Sequence, residues 1–148
     1  MKYSQASMGR VFILRLEDGD VLNDTLETFA REHAVAHALA FCLGGSAPGS
    51  KLVVGPDAAS ADTIVPLIHP LSGPREVLAL GTIFPNEAGE PSAHMHAAAG
   101  REGDATVGCA RAGLETWLVG EVVLLEILGT EARREVDAAS GFELLTLS

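Results

Sequence analysis

The stretch AHMHAAAGREGDATVGCA, residues 93–110, predicts a β-hairpin. Two segments of small and apolar residues flank a turn-forming run at residues 100–104. A reversal of the chain at Glu102 and Gly103 makes the two segments antiparallel strands joined by a short loop. Such a hairpin decides which side chains face one another, and those side chains include the best candidates for chemistry in the chain.

Two histidines and a cysteine of this hairpin form a candidate metal site. His94 and His96 are two residues apart, so on a strand both side chains leave the same face, with Cα atoms roughly 6.6–6.8 Å apart. The reversal places Cys109 opposite His96, with Cβ atoms about 4.5–5.5 Å apart, and Arg111 opposite His94. Imidazole and thiolate groups are zinc ligands, and three of them leave a fourth position for an anion or an activated water.

The same residues also have an ordinary structural interpretation. Histidines at this spacing occur with common hydrogen bonds, and a cysteine is often a small, buried hydrophobe. A register shifted by one residue would place Cys109 on the opposite face of the hairpin. Glu115 and Glu121 are candidate general bases, but their spacing assigns neither a role, and the catalytic residues stay unknown.

Outside the hairpin, the sequence predicts one amphipathic helix of about three turns. Apolar residues recur at helical spacing at Leu22, Leu26, Phe29 and Ala30. Asp20 ends the acidic turn at residues 17–20 and is placed to cap the N-terminus of this helix.

The remaining pattern predicts strands. Residues 35–43 alternate between larger side chains and Ala or Cys, which predicts a buried strand closed by Gly44 and Gly45. Further strands are predicted at residues 10–16, 52–54, 63–68, 76–84, 120–128, 131–136 and 142–147. One or two helices are too few for βαβ crossovers, so the predicted fold class is α+β: a compact, mostly antiparallel β-sheet in a single domain, residues 1–148.

Composition narrows the possible partners and location. The net charge is −10 and the ten basic residues are scattered, so the overall field opposes binding to nucleic acid. No apolar run reaches the roughly 20 residues that span a bilayer, and the N-terminus does not resemble a signal peptide. Cys42 and Cys109 lie far from any C-x-x-C spacing. A soluble, cytoplasmic protein with reduced thiols and no membrane partner is expected.

Other suggestive motifs favour structural interpretations. His33 and His37 are four apart, but the pattern changes from helix to strand between them. His69 is expected to be solvated in a loop, and Cys42 to pack in the core. The acidic run at 17–20 lacks the later ligands of a calcium loop, and the glycines of residues 44–49 lack the Lys-Ser/Thr ending of a phosphate loop, so both are predicted turns. The second turn is a candidate to line the same pocket as the histidines.

The order of several segments resembles the plants-and-prokaryotes-conserved (PPC) domain over roughly residues 9–147. The segments that carry the resemblance are residues 14–20, 29–33, 44–45, 76–83, 94–96, 107–109 and 120–124. The resemblance implies a compact antiparallel sheet flanked by a helix, a homotrimer with the site near subunit boundaries, and a family association with DNA binding. In the prokaryotic family the position matched by Cys109 is commonly a third histidine, which leaves the metal identity open.

The leading hypothesis is therefore a homotrimeric PPC-domain protein that binds a divalent transition metal, with zinc as the expected ion, through His94, His96 and Cys109. DNA remains a partner by resemblance, although the acidic charge opposes it and no AT-hook core of the Arg-Gly-Arg-Pro kind is present. The alternatives are a metal-dependent enzyme or small-molecule sensor without DNA binding, and a structural scaffold trimer.

Overall fold

The computed structural model describes residues 1–57 and 64–147. The first half of the chain contains β1 (Ser7–Leu16), α1 (Leu22–Glu32), β2 (Ala38–Ser46), β3 (Lys51–Pro56), β4 (Pro66–Pro70) and β5 (Arg75–Pro85). The second half contains β6 (Pro91–Arg101), β7 (Asp104–Cys109), a 3₁₀ turn (Ala110–Ala112), β8 (Thr116–Leu128), β9 (Arg133–Val136) and β10 (Glu143–Thr146).

Eight of the strands form one antiparallel sheet in the order β1-β8-β2-β5-β6-β7-β3-β4, and β9 pairs with β10 in a separate hairpin. This arrangement, with one α-helix in the described residues, agrees with the predicted α+β class. Within that part of the chain, no helix has both the length and the apolar character needed to cross a membrane.

The core lies between α1 and one face of the sheet. On the helix side, Leu26 and Ala30 are buried, and on the sheet side so are the small residues Ala38, Ala40 and Cys42 of β2. Because successive side chains of a strand point to opposite faces, these small residues share the covered face, on which α1 lies closest to β6. The Ala and Cys residues that recur at every second position of β2 therefore lie on the covered face.

The opposite face of the sheet, which we call the open face, carries large apolar side chains in the solvent. In β2, Phe41 and Leu43 are 42% and 54% exposed, and in β5, Leu78 and Leu80 are 61% and 50% exposed. Cross-strand pairing places Leu80 beside Phe41 and Leu78 beside Leu43. The prediction that residues 35–43 form a buried strand is therefore wrong for one of its two faces.

The ends of β2 also differ from the prediction. The strand begins at Ala38 and continues through Gly44 and Gly45 to Ser46, so these two glycines do not close it, and the turn predicted within residues 44–49 lies at residues 48–49. A Cβ on Gly45 would lie 2.7 Å from the backbone oxygen of Trp117, which shows that the glycines permit close approach of β8. They line a small space with Glu115 and Val119 that does not include the histidines.

Asp20 does not cap the helix as predicted. The residue before the helix is Val21, and no side chain caps the N-terminus. The Asp20 carboxylate instead accepts a hydrogen bond of 2.8 Å from the backbone N–H of Glu17. The acidic run is therefore a self-closed turn, as residues 17–20 predict, but its last residue stabilises the turn rather than the helix.

The histidines outside the hairpin lie apart from one another, and the fourth strand begins later than predicted. His33 lies 3.0 Å from the backbone oxygen of Phe29, whereas His37 contacts that of Ala132, so the two do not share a site. His69 is exposed as predicted, but it lies in β4 rather than in a loop. The strand predicted at 63–68 is observed from Pro66, and residue 63 lies outside the described residues.

Candidate metal site

The candidate site is built by the β6–β7 hairpin, in the register predicted from its turn. His96 pairs with Cys109 across the two strands. On the other side of β6, Leu80 of β5 is directly opposite His96. Directly opposed side chains share a face of the sheet, so the histidines and Cys109 belong to the open face rather than to the helix-covered core.

Arg111 is not paired with His94, contrary to the prediction. The β6–β7 ladder ends at Cys109, and the chain continues as the 3₁₀ turn. At this point β3 pairs with the hairpin through Val53 and Cys109, and a Cβ on Gly108 would lie 2.5 Å from the Val53 backbone oxygen. The close approach of β3 occupies the space in which a longer β7 strand would run.

The three candidate ligands converge. One potential ligand atom from each of His94, His96 and Cys109 lies within 4.8 Å of the others. The Nε2 atoms of the histidines are 3.1 Å apart. Two nitrogens bound tetrahedrally to zinc at about 2.0–2.1 Å are roughly 3.3 Å apart, so the observed spacing needs little adjustment to accept the ion. Both histidines are exposed and Cys109 is buried, which gives the set one solvent-facing side.

The surroundings of His94 favour its neutral form. Partial burial lowers the pKa of His94 from its ordinary value, and the positive charges of Arg134, His96 and Arg111 lower it further. A metal binds the neutral imidazole, so the low pKa reduces competition from protons. In the absence of metal, the 3.1 Å contact fits one ring nitrogen donating to the other.

Two cavities adjoin the histidines, with volumes of about 660 and 340 Å³. His94, Cys109, Arg111 and Phe142 line both of them. The C-terminal hairpin of β9 and β10 supplies Phe142 to both cavities and Arg134 to the larger one. Arg134, Phe142 and the helix residue Asn23, which also lines the larger cavity, could not be predicted from the sequence, because sequence spacing does not relate these segments to the histidines.

The other reactive residues of the sequence lie elsewhere. Glu121 is in β8 opposite Arg15 and Leu43, and Glu115 lies just before β8; neither is among the described residues that line the two cavities. Cys42 is in the helix-covered core, where burial raises its pKa to about 11. Its role is packing, as the sequence predicts.

The described residues thus form an α+β domain, an antiparallel sheet with one α-helix on its covered face and a His-His-Cys cluster on its open face. The chain belongs to the Plants and Prokaryotes Conserved (PCC) domain family, whose profile matches residues 3–128. This finding confirms the resemblance seen in the sequence, although the profile ends before β9 and β10.

Solved structures show the same fold. A plant- and prokaryote-conserved protein of Pyrococcus horikoshii has a TM-score of 0.83 and 22% identity, over 100% of this chain and 99% of that one. A metal-containing protein of Archaeoglobus fulgidus has a TM-score of 0.83 and 24% identity, over 99% of each chain. A candidate DNA-binding protein of Ralstonia eutropha has a TM-score of 0.69 and 22% identity, over 92% of this chain and 90% of that one. No curated protein matches the sequence.

Proposed function

We propose that this chain is a homotrimeric metal-binding protein, folded as a single domain over residues 1–148, that holds one divalent transition ion per subunit. His94, His96 and Cys109 supply the three ligands, and zinc is the ion that an N,N,S donor set favours. The observation that carries the proposal is the convergence of the three ligand atoms within 4.8 Å. A relative of the same fold is described as metal-containing, which supports the proposal.

A bound metal ion would have room for a small-molecule ligand. Three protein ligands leave one tetrahedral position open, and the two cavities beside the histidines give a small molecule access to it. A bound ion supplies Lewis acidity at that position. The protein residues hold the ion and shape the space around it, which suits a sensor or binding protein as well as an enzyme.

The exposed apolar side chains of the open face favour self-association. Its apolar side chains in β2 and β5 continue through β8, where Val123 is 38% exposed beside Phe41, to β1, where Ile13 is 77% exposed beside Val123. A contiguous exposed apolar surface of this kind is typical of protein interfaces. The candidate ligands lie on the same face, so a trimer formed there would bring the metal site close to a subunit boundary.

Metal content tests the proposal directly. Untagged protein should contain about one zinc or other transition ion per chain by plasma mass spectrometry, and His96→Ala should lose it, because two remaining ligands hold zinc weakly. His69→Ala is the matched control, since His69 is exposed on a strand and outside the cluster. Wild-type protein that stays metal-free after dialysis against zinc would contradict the proposal.

DNA binding is the second candidate function, and the description of the Ralstonia relative is the observation that favours it. The charge of −10 opposes it, since affinity for phosphates depends on clustered Lys and Arg. In a mobility-shift assay at about 150 mM salt, we expect the protein to cause no shift of duplex DNA. Tight binding that weakens steeply as salt is raised would reverse the order of the two candidates. A trimer that binds neither metal nor DNA would leave the scaffold role.

A further inference from the structure

The larger cavity carries charges of both signs, beyond the three proposed metal ligands. It lies between the first turns of α1, the end of β7 and the C-terminal hairpin, with a volume of about 660 Å³. Its polar lining includes two guanidinium groups, three carboxylates and one buried amide: Arg111, Arg134, Asp24, Glu27, Glu143 and Asn23. A ligand that complements this lining must itself carry more than one kind of polar group.

Arg134 is a buried cation with unused donors. The residue is 6% exposed, and its Nε and Nη2 atoms donate to backbone oxygens of Ser92 and Thr82 and to the Thr82 hydroxyl. Its Nη1 has no hydrogen-bond partner among the described residues. No carboxylate in the described part of the chain lies within ion-pair distance of Arg134 or Arg111. A guanidinium held in this way is suited to bind a carboxylate of a ligand.

Asn23 ties α1 to β6 at the wall of the cavity. It is 8% exposed, its Nδ2 donates 2.9 Å to the backbone oxygen of Ala93, and its Oδ1 is buried without a partner. Both Asn23 and Ala93 line the cavity.

The carboxylates decide between ligand classes. Asp24 and Glu27 come from the same end of α1 as Asn23, and Glu27 already accepts 2.8 Å from the backbone N–H of Ala93. Glu143 stands close enough to Arg134 to raise the pKa of that guanidinium, against the stronger lowering by burial. Three carboxylates around the space repel a doubly charged phosphate but attract an ammonium group.

We propose that this cavity binds a small zwitterion of the α-amino acid class, with its carboxylate on Arg111 and Arg134 and its ammonium group toward the helix carboxylates Asp24 and Glu27. The inference goes beyond the proposed function, because none of these residues is a proposed metal ligand. Arg134 and Glu143 belong to the C-terminal hairpin outside residues 3–128, so ligand choice depends on a segment that the family profile does not cover.

Calorimetric titration tests this inference with the twenty standard L-amino acids as probes. Metal content is measured on the same samples. At least one amino acid should bind with a Kd below about 1 mM. Its deaminated and decarboxylated analogues should each bind at least about tenfold more weakly, because each leaves one end of the cavity unpaired.

A pair of arginine variants provides the matched control. Arg111→Ala should weaken binding by about tenfold or more, since it removes a charged hydrogen bond from an exposed position that the fold does not need. Arg133→Ala should bind as the wild type does, because Arg133 is paired with Glu135 and lies outside the cavity. Equal affinity of the two variants would overturn the proposal.

Three results would reject the amino acid ligand. These are no binding of any amino acid at about 10 mM, equal binding of the deaminated analogue, and tighter binding of inorganic phosphate. The metal proposal is judged separately. Protein that binds metal but no amino acid refutes this inference alone, and protein that binds an amino acid without metal refutes the metal site alone.

Discussion

Glu126 of β8 is a buried carboxylate that joins this strand to its neighbour β1. It is 6% exposed, and Arg10 donates to it from its backbone N–H at 2.9 Å and from Nε at 2.8 Å. These hydrogen bonds, together with the charge of Arg10, lower the pKa of Glu126 to about 2. Replacing either partner leaves the other without its match at the β1–β8 junction.

Glu126→Gln should lower the free energy of unfolding by about 1 kcal/mol at pH 7, because a neutral amide accepts the same donors more weakly. The depressed pKa means that the carboxylate stabilises the fold above about pH 4.5, its ordinary value, and that this contribution is lost as the pH falls toward about 2. Urea unfolding at several pH values measures the difference. A gap between the two proteins that does not narrow in acid would contradict the assignment.

Cys42 should be unreactive in the folded protein. Burial raises the pKa of Cys42 to about 11, so almost no thiolate is present at pH 8. We expect iodoacetamide to leave Cys42 unmodified in the folded protein and to alkylate it in urea, with peptide mass spectrometry as the readout. Modification of Cys42 in the folded state at a rate near that of the unfolded chain would contradict its place in the core.

At the scale of elements, the site depends on the spacing between β5 and β6. Gly81 of β5 is opposite Met95, between the two histidines. A Cβ on Gly81 would lie 2.6 Å from the Met95 Cα and would also meet the backbone oxygen of His94. The glycine therefore allows the close approach of β6 that holds both histidines in place.

Gly81→Ala should destabilise the fold by about 1–3 kcal/mol and reduce metal affinity, because β6 must move away from β5 at the histidines. Gly100→Ala in β6 is the control. A Cβ there has its nearest neighbour at 3.8 Å, so its effect should stay near the roughly 0.5 kcal/mol of a surface change. Chemical denaturation and zinc titration measure the two effects, and equal losses in both variants would refute this explanation.

At the scale of the whole molecule, the covered and open faces of the sheet differ in what they bury. The covered face buries small residues of β2 together with larger ones such as Met95 and Leu124, whereas the large apolar side chains of the open face stay exposed. Leu78→Asp should therefore dissociate the proposed trimer to folded monomers at about 10 µM, since association would bury a charge without a partner. Sedimentation velocity measures the mass, and circular dichroism checks the fold.

Leu145→Asp is the control for that experiment. Leu145 is 45% exposed, comparable with the open-face residues, but it lies in the C-terminal hairpin rather than on the main sheet. The trimer should persist in this variant. If the wild type is itself a monomer, the open face has another occupant and the proposal of self-association is wrong.

The sequence alone determined the features that depend on short-range geometry. The turn at residues 102–103 set the register that pairs His96 with Cys109, and the period of two placed His94 and His96 on one face. The helical spacing from Leu22 to Ala30 located α1. These predictions hold because a hairpin register and a strand or helix period follow from the backbone over a few residues.

Only the tertiary structure decided which face of the sheet is covered and what surrounds the histidines. Both faces of β2 carry apolar residues, Ala40 on one and Phe41 on the other. The alternation therefore separates two faces but does not indicate which one packs against the helix. Asn23 and Arg134 are 111 positions apart in the chain, and they meet at one cavity only through the packing of α1 and the C-terminal hairpin. Contacts of that range depend on the packing of whole elements, which no local pattern encodes.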